Sequence, residues 1–152
     1  MTVRMTPHLS TSTPARVLRL GRLGLIPFLA PALVGWLWPI AAPIAGAALA
    51  VYAALILSFL GGGRWGMAVA TPHIENRIVS LAMLPTLAGF GLLMIPAEWR
   101  GWQLSGLALA HLVQGLWDMR ATTVPTWYAS LRGQLTLFAL VGLAFGLAVF
   151  TD

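Results

Sequence analysis

The sequence contains no cysteine, no lysine and only four acidic residues in 152 positions. Without cysteine, a disulfide framework, a thiolate nucleophile and a cysteine-type metal site are all excluded. Charged residues make up 9% of the chain and hydrophobic residues 59%, whereas a typical soluble domain has about 25% charged residues. So few charges cannot cover a soluble core, which excludes a free cytosolic enzyme, a disordered chain and a nucleic-acid-binding module. We therefore predict an integral membrane protein.

The hydrophobic residues form five runs separated by short polar or proline-containing connections. With interfacial flanks, these runs predict transmembrane helices at about 20–38, 42–62, 76–95, 99–118 and 133–150. A bilayer core of about 30 Å requires about 20 helical residues, and the runs lack the alternation of membrane strands. The predicted fold is all-α, a five-helix transmembrane bundle at residues 16–152 after a disordered N-terminal tail at 1–15. Pro85 is predicted to kink the third helix.

The arginines predict the orientation of the bundle. If the N-terminus lies inside, eight of the nine fall in inner segments: Arg4, Arg16, Arg19, Arg22, Arg64, Arg77, Arg120 and Arg132. Only Arg100 falls outside, so the positive-inside rule places the N-terminus in the cytoplasm, or in the matrix of an organelle, and the C-terminus outside. The arginines form no basic patch, so the predicted partner is the lipid bilayer and not nucleic acid. The predicted location is a bacterial inner membrane, or the mitochondrial inner membrane in a eukaryote.

This orientation also collects polar and aromatic residues at the inner ends of the helices. They form a candidate ligand or partner site: Gly61, Gly62, Gly63, Arg64, Trp65, Asp118, Trp127, Tyr128 and Arg132. The glycines predict a helix C-cap and turn, or else a place where a backbone or ligand approaches closely. A charge within hydrocarbon costs at least about 2.5 to 3.5 kcal/mol. We therefore expect Arg64 and Asp118 to pair or lie at the interface, or alternatively to bind a ligand or handle protons.

A polar stripe is predicted on the fourth helix, where His111, Gln114 and Asp118 share one face at spacings of three and four residues. Hydrogen bonds to the second helix, with Tyr52 and Ser58 as partners, are the favoured interpretation. The alternative is a path for protons or a polar ligand. Because no second ligand stands at a matching spacing, we predict no metal and no cofactor.

Small-residue faces predict close helix contacts on the last two predicted helices. Gly142 and Gly146 form one such face. This face packs either within the chain or against another subunit, in a membrane protein complex or a homo-oligomer.

Four segments carry a resemblance to a known family. They are YAALILSFLGGGRWG at 52–66, Leu-Pro at 84–85, Trp-Asp at 117–118 and PTWYASLR at 125–132. Together they resemble the transmembrane protein 69 family over about residues 20–150. The resemblance implies a small polytopic protein of a bacterial inner or mitochondrial membrane, and it implies no established activity.

Paired carboxylates and a metal-phosphate clamp, which lipid chemistry usually needs, are not present in the sequence, so we predict that the protein is not an enzyme. We predict instead an accessory, scaffold or assembly component of a membrane protein complex. The alternative is a binder or carrier of a small lipophilic ligand, such as a porphyrin, quinone or sterol, at the inner mouth of the bundle. The seven tryptophans fit an aromatic cage for such a ligand, but all stand near predicted helix ends, as in an interfacial belt.

Overall fold

The computed structural model describes residues 13–120 and 126–151, and this part of the chain contains no strand. The α-helices are α1 (Ala15–Leu23), α2 (Ile26–Leu37), α3 (Ala42–Val69), α4 (Asn76–Leu81), α5 (Leu84–Leu93), α6 (Arg100–Met119) and α7 (Thr126–Phe150). Short 3₁₀ turns, Pro39–Ala41 and Ala97–Trp99, connect α2 to α3 and α5 to α6. The all-α class is confirmed. The predicted tail lies outside the described residues up to residue 12.

Two of the predicted helices are each divided into a pair of shorter helices. Pro27 is the second residue of α2, and Pro85 is the second residue of α5. Proline is well suited to the first turn of a helix but cannot continue the hydrogen bonding of a preceding one. The α1–α2 pair and the α4–α5 pair therefore each form one bent unit, and the predicted kink at Pro85 is confirmed. Five helical units result.

Three helices extend beyond the spans predicted for them, and the first of these, α1, begins at Ala15 instead of at about residue 20. Helix α3 continues through the three glycines to Val69 instead of ending at residue 62, and α7 begins at Thr126 instead of 133. No described glycine has a positive φ, so the glycines do not form a C-cap. A Cβ atom on Gly61 would lie 2.6 Å from the carbonyl oxygen of Ala82. The close passage of α3 over the α4–α5 break is thus what requires glycine at position 61.

Four helical units are long and apolar enough to cross a membrane, judged by length and composition within the described residues. They are Ala15–Leu37, Pro39–Val69, Asn76–Leu93 and Trp127–Phe150. The fourth predicted span, α6, is not among them. It has 20 residues and is about 30 Å long at about 1.5 Å per residue, but it carries Gln103, His111, Gln114 and Asp118. Its length fits a bilayer core, whereas its composition does not meet the apolar criterion.

The core lies where α2, α3, α6 and α7 meet. Its fully buried side chains include Phe28, Leu49, Leu104, Leu107 and Leu143. Helices α2 and α7 approach so closely that a Cβ on Gly142 would lie 2.7 Å from the carbonyl oxygen of Phe28. Gly146 is packed against the side chain of Leu49.

The face formed by Gly142 and Gly146 is therefore occupied within the chain. The sequence predicts that this face packs either within the chain or against another subunit. The structure contains the contact within the chain. The space in front of both glycines is filled by Phe28 of α2 and Leu49 of α3.

The two ends of the bundle differ in composition. One end, here called the arginine end, holds the N-termini of α1, α4 and α7 and the C-termini of α3 and α6. All the described arginines except Arg100 lie at this end. The opposite end carries exposed tryptophans: Trp36, Trp38, Trp99 and Trp102. The bundle thus has a cationic end and an aromatic end.

Candidate functional site

Helix α6 buries its polar side chains together with Leu104 and Leu107 on one face and exposes other apolar side chains on the opposite face. The buried residues recur at spacings of one, three or four: Gln103, Leu104, Leu107, His111, Gln114, Gly115 and Asp118. Leu109, Leu112 and Val113 on the other side are exposed. In water this arrangement would be unfavourable, but in lipid the apolar face is solvated and the polar face must be satisfied inside the protein.

The buried polar groups nearer the aromatic end bond to backbone carbonyls of neighbouring helices. His111 Nε2 donates to the carbonyl oxygen of Ala53 on α3 at 2.9 Å. Gln103 Nε2 donates to the carbonyl oxygens of Leu92 and Ile95 at 3.1 and 3.3 Å. Both Gln103 bonds reach carbonyls at the C-terminal end of α5, where the Leu92 carbonyl also accepts a bond from the amide of Ile95 at 3.2 Å. These two side chains therefore fix α6 against α3 and α5.

The predicted partners of His111 are wrong. The Tyr52 hydroxyl donates instead to the carbonyl oxygen of Gly24 at 2.7 Å, which lies at the break between α1 and α2. The Ser58 hydroxyl is 3.0 Å from the Thr86 hydroxyl on α5. His111 itself faces the α3 backbone, so a carbonyl and not a side chain meets its ring. The general interpretation, a hydrogen bond from the stripe to a neighbouring helix, is confirmed for His111, whereas Gln114 bonds to Asp118 on its own helix.

Nearer the arginine end, four polar residues form a group that we call the Asp118 cluster: Gln114, Asp118, Arg64 and Arg132. Asp118 is 0% exposed. Its Oδ2 accepts a hydrogen bond from Arg132 Nε at 2.9 Å, and its Oδ1 accepts one from Gln114 Nε2 at 3.0 Å. Arg64 Nε lies 3.8 Å from the same Oδ1. The cluster therefore connects α3, α6 and α7 through one carboxylate.

The predicted pair of Arg64 and Asp118 is thus present, but it is the longer of two ion pairs. Arg64 is 8% exposed and Arg132 is 7% exposed, and Arg64 Nε is buried without a hydrogen-bond partner. The Arg64 guanidinium lies over the indole of Trp117, 4.2 Å from the ring centroid, which is cation–π geometry. Two guanidinium groups share one carboxylate, so the cluster holds an excess of one positive charge.

The structure brings together three of the nine candidate site residues. The other six lie outside the Asp118 cluster: Gly61, Gly62, Gly63, Trp65, Trp127 and Tyr128. Gly62 and Gly63 face outward, with no atom of the described segments within 4 Å of the positions their Cβ atoms would take, and Trp65 is exposed. Trp127 and Tyr128 are half-buried at the start of α7, with their rings edge to face and 6.2 Å apart.

Sequence reasoning did not identify Trp117 as a contact of the cluster, nor Arg132 as the nearest partner of Asp118. Arg132 was obscured by a helix boundary, because the fifth predicted helix began one residue after it, whereas Trp117 lies within the fourth predicted helix. The available signal was Arg64 near the end of one predicted helix and the Trp117-Asp118 pair at the same end of another. Recognising it requires knowing which helices are neighbours.

The space beside the cluster is small. Arg64 lines a recess of about 50 Å³ together with Met67, Ala68, Thr71, Glu75 and Ile78. Ligand pockets for drug-sized molecules measure about 300 to 1,000 Å³. In the described segments, no group of three or more His, Cys, Asp and Glu residues is placed to hold a metal ion. Asp118 already accepts bonds on both oxygens, so the geometry is that of a connection between helices.

Residues 13–148 match the family described as "Protein of unknown function (DUF3429)". The chain belongs to this family. It is also 33% identical over 149 residues to transmembrane protein 69 of Xenopus tropicalis, which confirms the resemblance found in the sequence. That alignment covers 90% of this chain and 56% of the relative, so the DUF3429 chain spans about half the length of the curated relative it matches.

No solved structure matches the chain. With its apolar helices and its family, this DUF3429 chain is a helical membrane protein.

Proposed function

We propose that this protein crosses the membrane five times and serves as a non-enzymatic accessory, scaffold or assembly component of a larger membrane protein complex. The proposed location is the inner membrane of a bacterium, or the mitochondrial inner membrane in a eukaryote. The proposed orientation has the arginine end in the cytoplasm or matrix and the C-terminus on the opposite side.

The distribution of charge supports this orientation. Seven of the eight described arginines lie at one end of the bundle and only Arg100 at the other, as the positive-inside rule requires of the inner side. Helix α6 supports the count of five, because its length matches the bilayer core and its polar residues are satisfied within the bundle. Tryptophans at the opposite end fit the outer interface.

The observation that carries the accessory role is an outward-facing set of glycines on α3. Gly62, Gly63 and Gly66 have no atom of the described residues within 4 Å of their Cβ positions, and they fall within about a third of the helix circumference. We call them the glycine face. Each glycine within a helix costs about 1 kcal/mol relative to alanine. Packing among residues 13–120 and 126–151 explains Gly61 but gives the glycine face no contact.

Small residues on one face of a membrane helix allow a second helix to approach the backbone closely. The glycine face therefore fits a helix of a partner protein. Gly142 and Gly146, the small-residue face expected from the sequence, cannot have this role because α2 and α3 already cover them.

A carrier of a lipophilic ligand at the arginine end is less well supported. The recess beside Arg64 is about 50 Å³, which is well below the lower limit of about 300 Å³ for pockets of drug-sized ligands. Asp118 and Arg132, which were expected to line the pocket, are buried against each other. The Asp118 carboxylate and the Arg132 Nε–H are hydrogen-bonded to each other, which leaves them less available to a ligand.

The test is site-specific photocrosslinking in the native membrane. A photoreactive residue at position 62 or 66 should give a crosslink to a different protein, whereas one at position 91 should not. Gly91 is the matched control, because it is also exposed on a helix and has no atom within 4 Å of its Cβ position. Crosslinks to lipid alone at 62 and 66, or to a second copy of this chain, contradict the accessory role.

A further inference from the structure

Helix α1 carries three exposed arginines, Arg16, Arg19 and Arg22. Their three-residue spacing confines them to about a third of the helix circumference. Within the described part of the chain, the ion pairs are those of Asp118 with Arg64 and Arg132. None of the α1 arginines is therefore paired with Glu75, Glu98 or Asp118.

A recess of about 240 Å³ opens beside the last of these arginines, between the α1–α2 break and α7. Its lining residues are Arg22, Leu25, Leu131, Gln134, Leu135 and Phe138. The three residues that α7 presents one turn apart, Leu131, Leu135 and Phe138, are apolar. The polar groups are a guanidinium from α1 and a side-chain amide from α7.

Helices α1 and α7 are in close contact beside the recess, and this contact sets the distance between its two sides. A Cβ on Gly21 would lie 3.2 Å from the side chain of Leu135, so the two helices touch there. Leu131 is buried and Phe138 is half exposed. The recess is therefore anchored by a helix contact and is open toward the surrounding medium along α7.

We propose that this recess binds one membrane lipid with an anionic phosphate headgroup. The phosphate accepts hydrogen bonds from the Arg22 guanidinium and the Gln134 amide, and an acyl chain lies along Leu135 and Phe138. Arginine and phosphate form charge-assisted, often bidentate hydrogen bonds. Basic pockets between membrane helices on the cytoplasmic or matrix side are suited to anionic headgroups.

The apolar wall distinguishes a lipid from a soluble anion. A free phosphate needs only the two polar groups and gains nothing from burying the surface of Leu135 and Phe138. An acyl chain gains about 0.8 kcal/mol for each buried CH₂ group. Arg16 and Arg19 add attraction to an anionic membrane surface without lining the recess. The inference rests on the proposed membrane insertion and is independent of any protein partner.

The test is native mass spectrometry of the full chain in mild detergent, titrated with phosphatidylglycerol or with phosphatidylcholine of identical acyl chains. We expect phosphatidylglycerol to bind at least fivefold more tightly. Arg22→Gln should weaken its binding about fivefold, which corresponds to the roughly 1 kcal/mol expected of one arginine near an anionic lipid. Arg22→Lys keeps the charge but not the bidentate donors, so it should weaken binding less than Arg22→Gln does.

Arg120→Gln is the matched control, since Arg120 is an exposed arginine at the same end that does not line the recess. It should change the affinity less than twofold. Equal binding of the two lipids, or equal effects of Arg22→Gln and Arg120→Gln, would overturn the proposal. Displacement of the lipid by millimolar glycerol phosphate would overturn it in favour of a soluble anion. Photocrosslinking at the glycine face is measured separately, so failure of one proposal leaves the other standing.

Discussion

Replacing Asp118 by asparagine should destabilise the bundle more than replacing either of its arginine partners. Asparagine preserves the size of the side chain but removes the only carboxylate in the Asp118 cluster. It also places an amide group where Arg132 and Gln114 both need an acceptor, 2.9 and 3.0 Å away. Two buried guanidinium groups then remain without a counter-ion, which is the costly way to break a buried ion pair.

The expected loss in free energy of unfolding follows from the distances between the charged groups. At an effective dielectric constant of about 20, two unit charges about 4 Å apart attract by about 4 kcal/mol, before the cost of desolvating them is subtracted. Removing one partner of a buried pair has a net cost of about 3 to 5 kcal/mol. We expect Asp118→Asn to fall in this range and Arg132→Gln slightly below it. Arg64→Gln should cost about 1 kcal/mol or less, because it removes the longer contact and leaves the closer pair neutral.

The assay is reversible unfolding of the purified protein in mixed micelles, followed by tryptophan fluorescence. Arg120→Gln serves as the control, because this exposed arginine at the same end belongs to neither ion pair. The double variant Asp118→Asn/Arg132→Gln should be less destabilised than the sum of the single variants, since it removes a charge of each sign. An Arg64→Gln effect equal to or larger than that of Arg132→Gln, or strict additivity in the double variant, would refute the reasoning.

Three further predictions use the same unfolding measurement. Gly142→Ala should destabilise the protein by about 1 to 3 kcal/mol because the new methyl group meets the backbone of α2, whereas Gly62→Ala should stabilise the isolated chain by up to about 1 kcal/mol; effects of the same sign would contradict the packing described. His111→Leu should cost about 0.5 to 1.5 kcal/mol for its lost hydrogen bond to α3, and a stabilised variant would show that the bond contributes nothing. Tyr52→Phe should cost about 1 kcal/mol, because it removes the hydroxyl that satisfies the carbonyl at the α1–α2 break; an unchanged free energy of unfolding would indicate that water replaces it.

The number of helical units was predictable from the sequence, because it depends on local properties. Hydrophobic runs of sufficient length, separated by polar or proline-containing connections, define helices that can cross a bilayer. Pro85 marked a break within one unit because a proline cannot continue the hydrogen bonding of the preceding turn. The enrichment of arginine in alternate connections likewise depends only on their order along the chain.

The contacts between helices were not predictable in the same way. The glycines at 61–63 look like a helix end, and the difference between Gly61 and Gly62 exists only because the α4–α5 break lies against one of them. Similarly, Gly142 and Gly146 carry a pattern suited to any close helix contact. Their burial by α2 and α3 is a consequence of tertiary packing, which a single sequence without a known arrangement of neighbours does not specify.

Helix α6 shows why composition alone does not identify a membrane-spanning helix that buries polar side chains inside the bundle. A span on the outside of a bundle is solvated by lipid on much of its surface and must be apolar, but a span with several protein neighbours can bury polar groups where carbonyls and guanidinium groups receive them. On α6, each of the four buried polar side chains has a hydrogen-bond partner. The low mean hydropathy of α6 therefore reflects its use as the hydrogen-bonding element of the bundle.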